Sequence, residues 1–243
     1  MRSAFLRGVV WLVGLILGGL PAGAVPLGFE SGPHFFRTYP PALSSFIQLT
    51  NQAILYGNQS LGGNVPAIPL LSGGLGVRMA ETLGEPFALG LGISLFAAGT
   101  GTEGTWGGQE AVAVHLGLSY ADLSLLFLFS PMPGIFSFGV AGGFAGADLV
   151  YSVVFPNLNL SFVPASGERV YSGRTFVAFV FLRVAWPLFP HLTIGAEAGF
   201  RWALFPQLFS QGVPMDLNRD GKPDQLDLSG LWLGLTLRVE LPL

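Results

Sequence analysis

Hydrophobic and polar residues alternate along most of this chain. From Leu231 every second residue is Leu or Val, through Leu233, Leu235, Leu237, Val239 and Leu241 to Leu243. Between them stand Trp232, Gly234, Thr236, Arg238, Glu240 and Pro242. A period of two places successive side chains on opposite faces, which is the strand signature. The same pattern runs from Leu192 to Leu204, with Ile194, Ala196, Ala198, Phe200 and Trp202 on one face. It recurs over Leu75–Met79, Phe87–Leu95 and Val112–Tyr120. The pattern predicts ten strands: 44–56, 70–82, 86–98, 109–120, 122–130, 134–145, 147–156, 171–187, 191–205 and 228–242. The first is the least regular. Phe46, Leu49, Ala53 and Ile54 also suit a short helix, which would leave eight strands.

A soluble sandwich alternates too. Here, however, the face opposite the large apolar side chains is Gly, Ala, Ser and Thr with an occasional ion, as in a narrow lumen. A sheet in lipid must close on itself, because lipid offers the backbone no partners. The reading is therefore an all-β, transmembrane, antiparallel up-and-down β-barrel over residues 44–243. Connections after the even-numbered strands are short: 83–85, Ala121, Gly146 and 188–190. Those after odd-numbered strands are mostly long, at 57–69, 99–108, 157–170 and 206–227, with 131–133 the exception. Short inner turns and long outer loops are the habit of such barrels. Both ends of the mature chain then face the periplasm, with 25–43 a periplasmic segment before the barrel. Tyr120 and Trp186 would mark the short-turn rim and Trp202 the long-loop rim. The rival is a helical inner-membrane protein, for which 123–147 is an uncharged run long enough to span. That run holds two prolines and five glycines, which make a poor helix.

Composition supports the membrane. Hydrophobic residues make up 51% of the 243 and charged residues 10%, against about 25% charged in soluble domains. Mean hydropathy is +0.59. The net charge of −3 offers no basic field for nucleic acid. With no cysteine there are no disulfides or thiolate metal sites.

Residues 1–24 have the form of a signal peptide. Arg2 and Arg7 precede an apolar run from Gly8 to Leu20, and Ala22-Gly23-Ala24 offers small residues for cleavage. The run is short for an uncleaved spanning anchor. Together with the dyad strands and the alternating C-terminal strand, this resembles bacterial outer-membrane β-barrel proteins. The resemblance is architectural. It implies an outer-membrane location, contact with outer-membrane lipids and recognition of the last strand by the barrel-assembly machinery. In that family the last residue is aromatic. Here Leu243 replaces it and Pro242 precedes it.

One local motif is sharp. Asp216, Asn218, Asp220, Lys222, Asp224 and Asp227 stand at positions one, three, five, seven, nine and twelve of a calcium loop, with Gly221 at position six. Five side-chain oxygens and the Lys222 carbonyl would suit Ca²⁺, a hard ion that takes six to eight oxygens. The run resembles the loops of EF-hand and dockerin-like proteins, except that Asp227 replaces the bidentate Glu and no amphipathic helices flank it. A structural Ca²⁺ would stiffen the long outer loop. The alternative is an acidic, solvated turn.

Arg78, Arg183, Arg201, Arg238, Glu197 and Glu240 share the inward parity, with His115 beside them. Four arginines against two glutamates would favour anions in a porin-like channel. If they pair, they plug the barrel instead. Enzyme signatures do not emerge. His34, His115 and His191 have no nucleophile at motif spacing, and no GxSxG elbow or phosphate loop occurs. The expected function is a small channel, transport or structural barrel. The alternatives are a surface interaction barrel and, less favoured, a lipid-modifying enzyme.

Overall fold

A computed structural model describes residues 27–37, 40–71, 73–83, 86–108, 110–132, 134–155, 166–217 and 220–241. Residues 1–24, read from the sequence as a signal peptide, lie outside them. Eight antiparallel strands close a barrel: β1 (Leu27–Arg37), β2 (Gly73–Leu83), β3 (Phe87–Trp106), β4 (Glu110–Met132), β5 (Phe136–Val154), β6 (Gly167–Phe189), β7 (Leu192–Trp202) and β12 (Gly230–Leu241). Each strand pairs with its sequence neighbour, β12 pairs β7, and β1 pairs β12 to shut the ring. Two-residue strands β8 (Leu204–Phe205), β9 (Phe209–Ser210), β10 (Val213–Pro214) and β11 (Leu226–Asp227) fold the last loop, with β8 paired to β11.

The strand number differs from the expected ten for three reasons. Residues 44–56 lie in a helix, α1 (Pro41–Gly57). Its buried residues Leu43, Phe46, Ile47, Thr50, Ala53 and Ile54 recur at three and four, a helical stripe. Ala121 and Gly146 are not turns. They pair with each other in register inside β4 and β5, so four expected strands are two. Leu27–Arg37, expected before the barrel, is its first strand. With eight strands the loop rule becomes regular. The connections at 84–86, 133–135 and 190–191 are short, and they share a rim with both ends of the barrel. Among the described residues no helix is long and apolar enough to cross a membrane, and the run 123–147 proposed for a spanning helix lies in β4 and β5 with the turn between them.

A spanning strand needs about 9–11 residues. β1, β2, β7 and β12 have 11 or 12, whereas β3, β4, β5 and β6 have 20, 23, 19 and 23. The four long strands therefore rise beyond the barrel's short side as a half-open sheet. On the outside of β6, exposed apolar residues run from Phe176 through Leu182 and Val184 to Trp186. Ten residues at about 3.4 Å, tilted by about 40°, span roughly 26 Å along the membrane normal, against an apolar band of about 25 Å in such barrels. Leu89, Leu125, Phe127, Phe138, Leu233, Leu235 and Leu237 continue the band around the ring. Above it, Ser119, Asp148 and Ser172 form one outward row. The protein is a membrane-spanning β-barrel of the outer-membrane kind.

Inside the raised sheet the parity of large residues reverses. Val112, Val114, Leu116, Leu118 and Tyr120 are buried on the inner face. They form a core with α1 and the 203–229 loop, where Phe46 meets Tyr151 at 5.7 Å and Tyr120 meets Phe205 at 6.3 Å. Tyr120 is therefore a core residue rather than a rim anchor. Trp186 and Trp202 are exposed at opposite rims, as expected.

Candidate functional site

Two rows of inward side chains meet at mid-lumen. Register places His34, Gly234, Glu197, Arg183 and Ser137 in one row across β1, β12, β7, β6 and β5. The other row runs Gly32, Arg78, Ser94, Asp122 and Ala145 across β1 to β5. Glu197 is the hub. Arg183 donates to it through Nε at 2.5 Å and also pairs with it through a terminal nitrogen. Arg78 donates to its other oxygen at 3.1 Å, and His34 Nε2 lies 3.4 Å from that oxygen. Arg183 reaches on to Glu30 at 2.7 Å. His34 can cross β12 because position 234 is glycine: a Cβ there would run into the imidazole. The His34 Nδ1–H donates to the Gly32 carbonyl at 2.9 Å.

Aromatic rings close the space around these ions. The Arg78 guanidinium lies over Phe181 at 4.4 Å and near Trp232 at 5.3 Å. Opposite Phe181 stands Gly139, where a Cβ would strike the ring. Arg201 stacks on Phe36 and Tyr120, both at 4.5 Å, and donates twice to the Leu228 carbonyl at 2.7 and 3.1 Å. Asp122 is buried beside Tyr120 and Ser94, in the field of Arg78 and Arg201. Arg201 is 1% exposed and Glu197 2%. Isolated charges at such burial cost far more than they return. Arg78 and Arg183 are answered by Glu197 and Glu30, while Arg201 and Asp122 lie buried near them among aromatic rings.

Of the expected lumen residues, the structure brings Arg78, Arg183, Glu197 and Arg201 together. Arg238 lines a small pocket with Glu30, Ser137, Arg183 and Thr236 at the short-turn end. Glu240 pairs with Gly28 in register, and its side chain lies outside what is described. His115 does not belong to the lumen. It stands on the outer face of the raised sheet, 2.9 Å from Glu103, with its side chain 53% exposed. The alternation around Val112–Tyr120 was assigned lumen parity from its small residues, but there the large residues face in. The sequence reading missed Glu30, His34 and Asp122. The first two lay in a segment rich in Gly and Pro, and the third beside a supposed turn. With them, the excess of arginine that suggested anion selection is balanced.

In the 216–227 loop, Asp216 accepts from the Asp220 and Gly221 backbone N–H groups at 3.2 and 3.0 Å, and Asp220 from that of Lys222 at 2.8 Å. Gly221 has φ +80° at the sharp turn. Asp224 turns inward to the Leu217 N–H at 2.5 Å, and Asp227 accepts from Ser229 at 2.8 Å. Among the described residues no group of three or more acidic or histidine side chains is placed to hold a metal. Asn218 lies outside them. Buried Leu208, Met215, Leu217, Leu226 and Leu228 tie the loop into the core beneath the raised sheet.

No family model matches the chain, and no curated protein matches it. Among solved structures it is similar to Ail, the attachment invasion locus protein of Yersinia pestis, solved with the heparin analogue sucrose octasulfate. Identity is 11% over 89% of this chain and 99% of that one, with TM-score 0.47. It is also similar to the outer membrane protein OprG of Pseudomonas aeruginosa, at 9% identity over 90% and 97% of the chains and TM-score 0.47. The outer membrane protease OmpT of Escherichia coli gives 9% identity over 90% and 95%, with TM-score 0.38.

Proposed function

We propose that this protein is a closed, non-conducting outer-membrane barrel whose work is done by its outer surface, as a binding or structural element rather than a channel or an enzyme. The observation that carries this reading is the mid-lumen cross-section. The Glu197 network and the rings of Phe36, Phe181 and Trp232 bury one another, and α1 fills the outer mouth above them. A solute would have to break buried ion pairs and displace a packed helix. The raised sheet of β3–β6 invests 19 to 23 residues per strand in structure outside the bilayer, which a simple pore does not need. Export through residues 1–24, insertion by the barrel-assembly machinery and a structural Ca²⁺ in the 216–227 loop belong to the same proposal. The ordered spacing and the Gly221 turn support the calcium, and the inward role of Asp224 weighs against it. The test is conductance of the folded, purified protein in planar bilayers. No unitary current is expected, and steady ion-selective steps would overturn the reading.

A further inference from the structure

Between α1 and β2 the chain runs as a strap, Val65-Pro66-Ala67-Ile68-Pro69-Leu70-Leu71. Val65, Ile68 and Leu71 are buried, and the residues between them are exposed. A burial period of three is that of polyproline II. Among the described residues, side chains alone hydrogen-bond the strap's backbone. The Asn51 amide clasps the Ile68 N–H and carbonyl at 2.7 and 3.0 Å, and the Asn58 amide clasps those of Val65 at 2.9 and 3.0 Å. On the opposite edge Thr100 and Thr102 of β3 donate to the Pro69 and Pro66 carbonyls, both at 2.8 Å. The repeats match. Seven helical residues advance about 10.5 Å and three polyproline II residues about 9.3 Å. Pro66 and Pro69 hold the exposed positions whose carbonyls these threonines take. Trp106 Nε1 donates to the Asn58 Oδ1 at 2.9 Å and so fixes that amide.

We propose that the cleft between α1 and the inner face of β3 is a binding site for polyproline II peptide, filled in cis by Val65–Leu71 and open in trans to an uncharged, proline-containing segment of a partner protein outside the cell. Three observations support exchange. Among the described residues, Val65–Leu71 makes no backbone–backbone hydrogen bond, so an incoming segment can remake every contact it displaces. Gly62 and Gly63, at φ +73° and +153°, turn the chain into the strap and stay fastened at the end of β3, through the Gly107 N–H to the Gly62 carbonyl at 2.6 Å and a bridge between Gly63 and Trp106, so only Val65–Leu71 needs to move. Residues 38–72 contain no charged side chain, so the site selects a neutral ligand. Reading backbone by side-chain amides, with specificity from every third residue, is a peptide-recognition mode. The inference deepens the surface-binding proposal, and a conducting barrel would refute that proposal without touching the measurement below.

The experiment uses the folded full-length barrel in nanodiscs and a labelled peptide of residues 64–71. In Val65→Ser/Ile68→Ser the cis anchors are removed. The peptide should bind this variant at least about tenfold more tightly than wild type, because a tethered segment competes at about millimolar effective concentration. Adding Asn51→Ala and Asn58→Ala should abolish binding, and so should one extra alanine between Ala67 and Ile68 of the peptide. Wild type provides a check free of substitutions: millimolar peptide should shift the Asn51 and Asn58 side-chain amide resonances. No binding to a folded variant, no shift in wild type, or equal binding of the lengthened peptide would overturn the proposal. Wild-type dimers that the peptide dissolves would overturn the assignment to a partner protein, because the ligand would be a second copy.

Discussion

Replacing Glu197 by Gln keeps the volume of the hub and removes its charge. Two guanidinium groups now contact that carboxylate, Arg183 at 2.5 Å and Arg78 at 3.1 Å. Each pair is attracted by about 5 kcal/mol at an effective dielectric of 20, and much of that offsets the desolvation of the ions. Breaking a buried pair by removing one partner costs about 3–5 kcal/mol net, because the remaining charge stays buried. Arg183 retains Glu30 at 2.7 Å, which favours the lower end; Arg78 loses its carboxylate counter-charge. We therefore expect Glu197→Gln to destabilise the barrel by about 3 kcal/mol. Arg78→Met added to it should recover part of that loss, with a coupling of about 0.5–3 kcal/mol. The assay is reversible urea unfolding in lipid vesicles, followed by tryptophan fluorescence. A loss below about 1 kcal/mol, the size for a solvated pair, would show that water fills the lumen at this level.

Leu235→Arg puts a charge on the lipid side of β12 and should cost about 2–4 kcal/mol in the same assay; a harmless result would refute the assigned register. Thr236→Arg should fare no better, because Thr236 is buried against position 195, and good folding of that variant would show a roomy lumen. At Gly32 a Cβ would run into the Leu235 carbonyl across the closing seam, so Gly32→Val should cost about 1–3 kcal/mol and slow the gel shift that marks folding. For calcium, calorimetric titration should show binding at about 10⁻⁴–10⁻³ M, typical of extracellular loops, lost in Asp216→Ala/Asp220→Ala. No heat at several millimolar Ca²⁺ would leave this loop a turn held by its own hydrogen bonds.

How much of this was legible depended on what each strand faces. β7 and β12 are membrane strands with lipid on one side and a narrow lumen on the other, so their dyad pattern reads directly from Leu192 and Leu231. β4 and β5 are nearly twice as long. Their lower halves turn Leu125 and Phe127 outward to lipid, and their upper halves turn Leu116 and Leu118 inward to a water-excluding core. The reversal looked like a break between strands, and Ala121 and Gly146 looked like turns. For the same reason His115 was given the wrong face. β1 was hidden because Gly28, Gly32 and Pro33 read as loop. Gly28 and Gly32 are small because Arg238 and the Leu235 carbonyl approach them, which no local pattern reveals. Glu30 and His34 vanished from the site with their strand. The arginines were visible as inward ions, but pairing them required the register of five strands.

The closed lumen is tested most directly by thiol labelling, since the chain has no cysteine of its own. Ser94→Cys and Ser124→Cys place a near-isosteric thiol on the inner face at mid-lumen, where both serines are buried. Ser119→Cys places one on the exposed outward row above the apolar band. With folded protein in liposomes and a membrane-impermeant maleimide, the account predicts rapid labelling at position 119 and protection at 94 and 124 until the barrel is unfolded. Labelling of 94 and 124 at the rate of 119 in the folded protein would mean a water-filled channel and would contradict it.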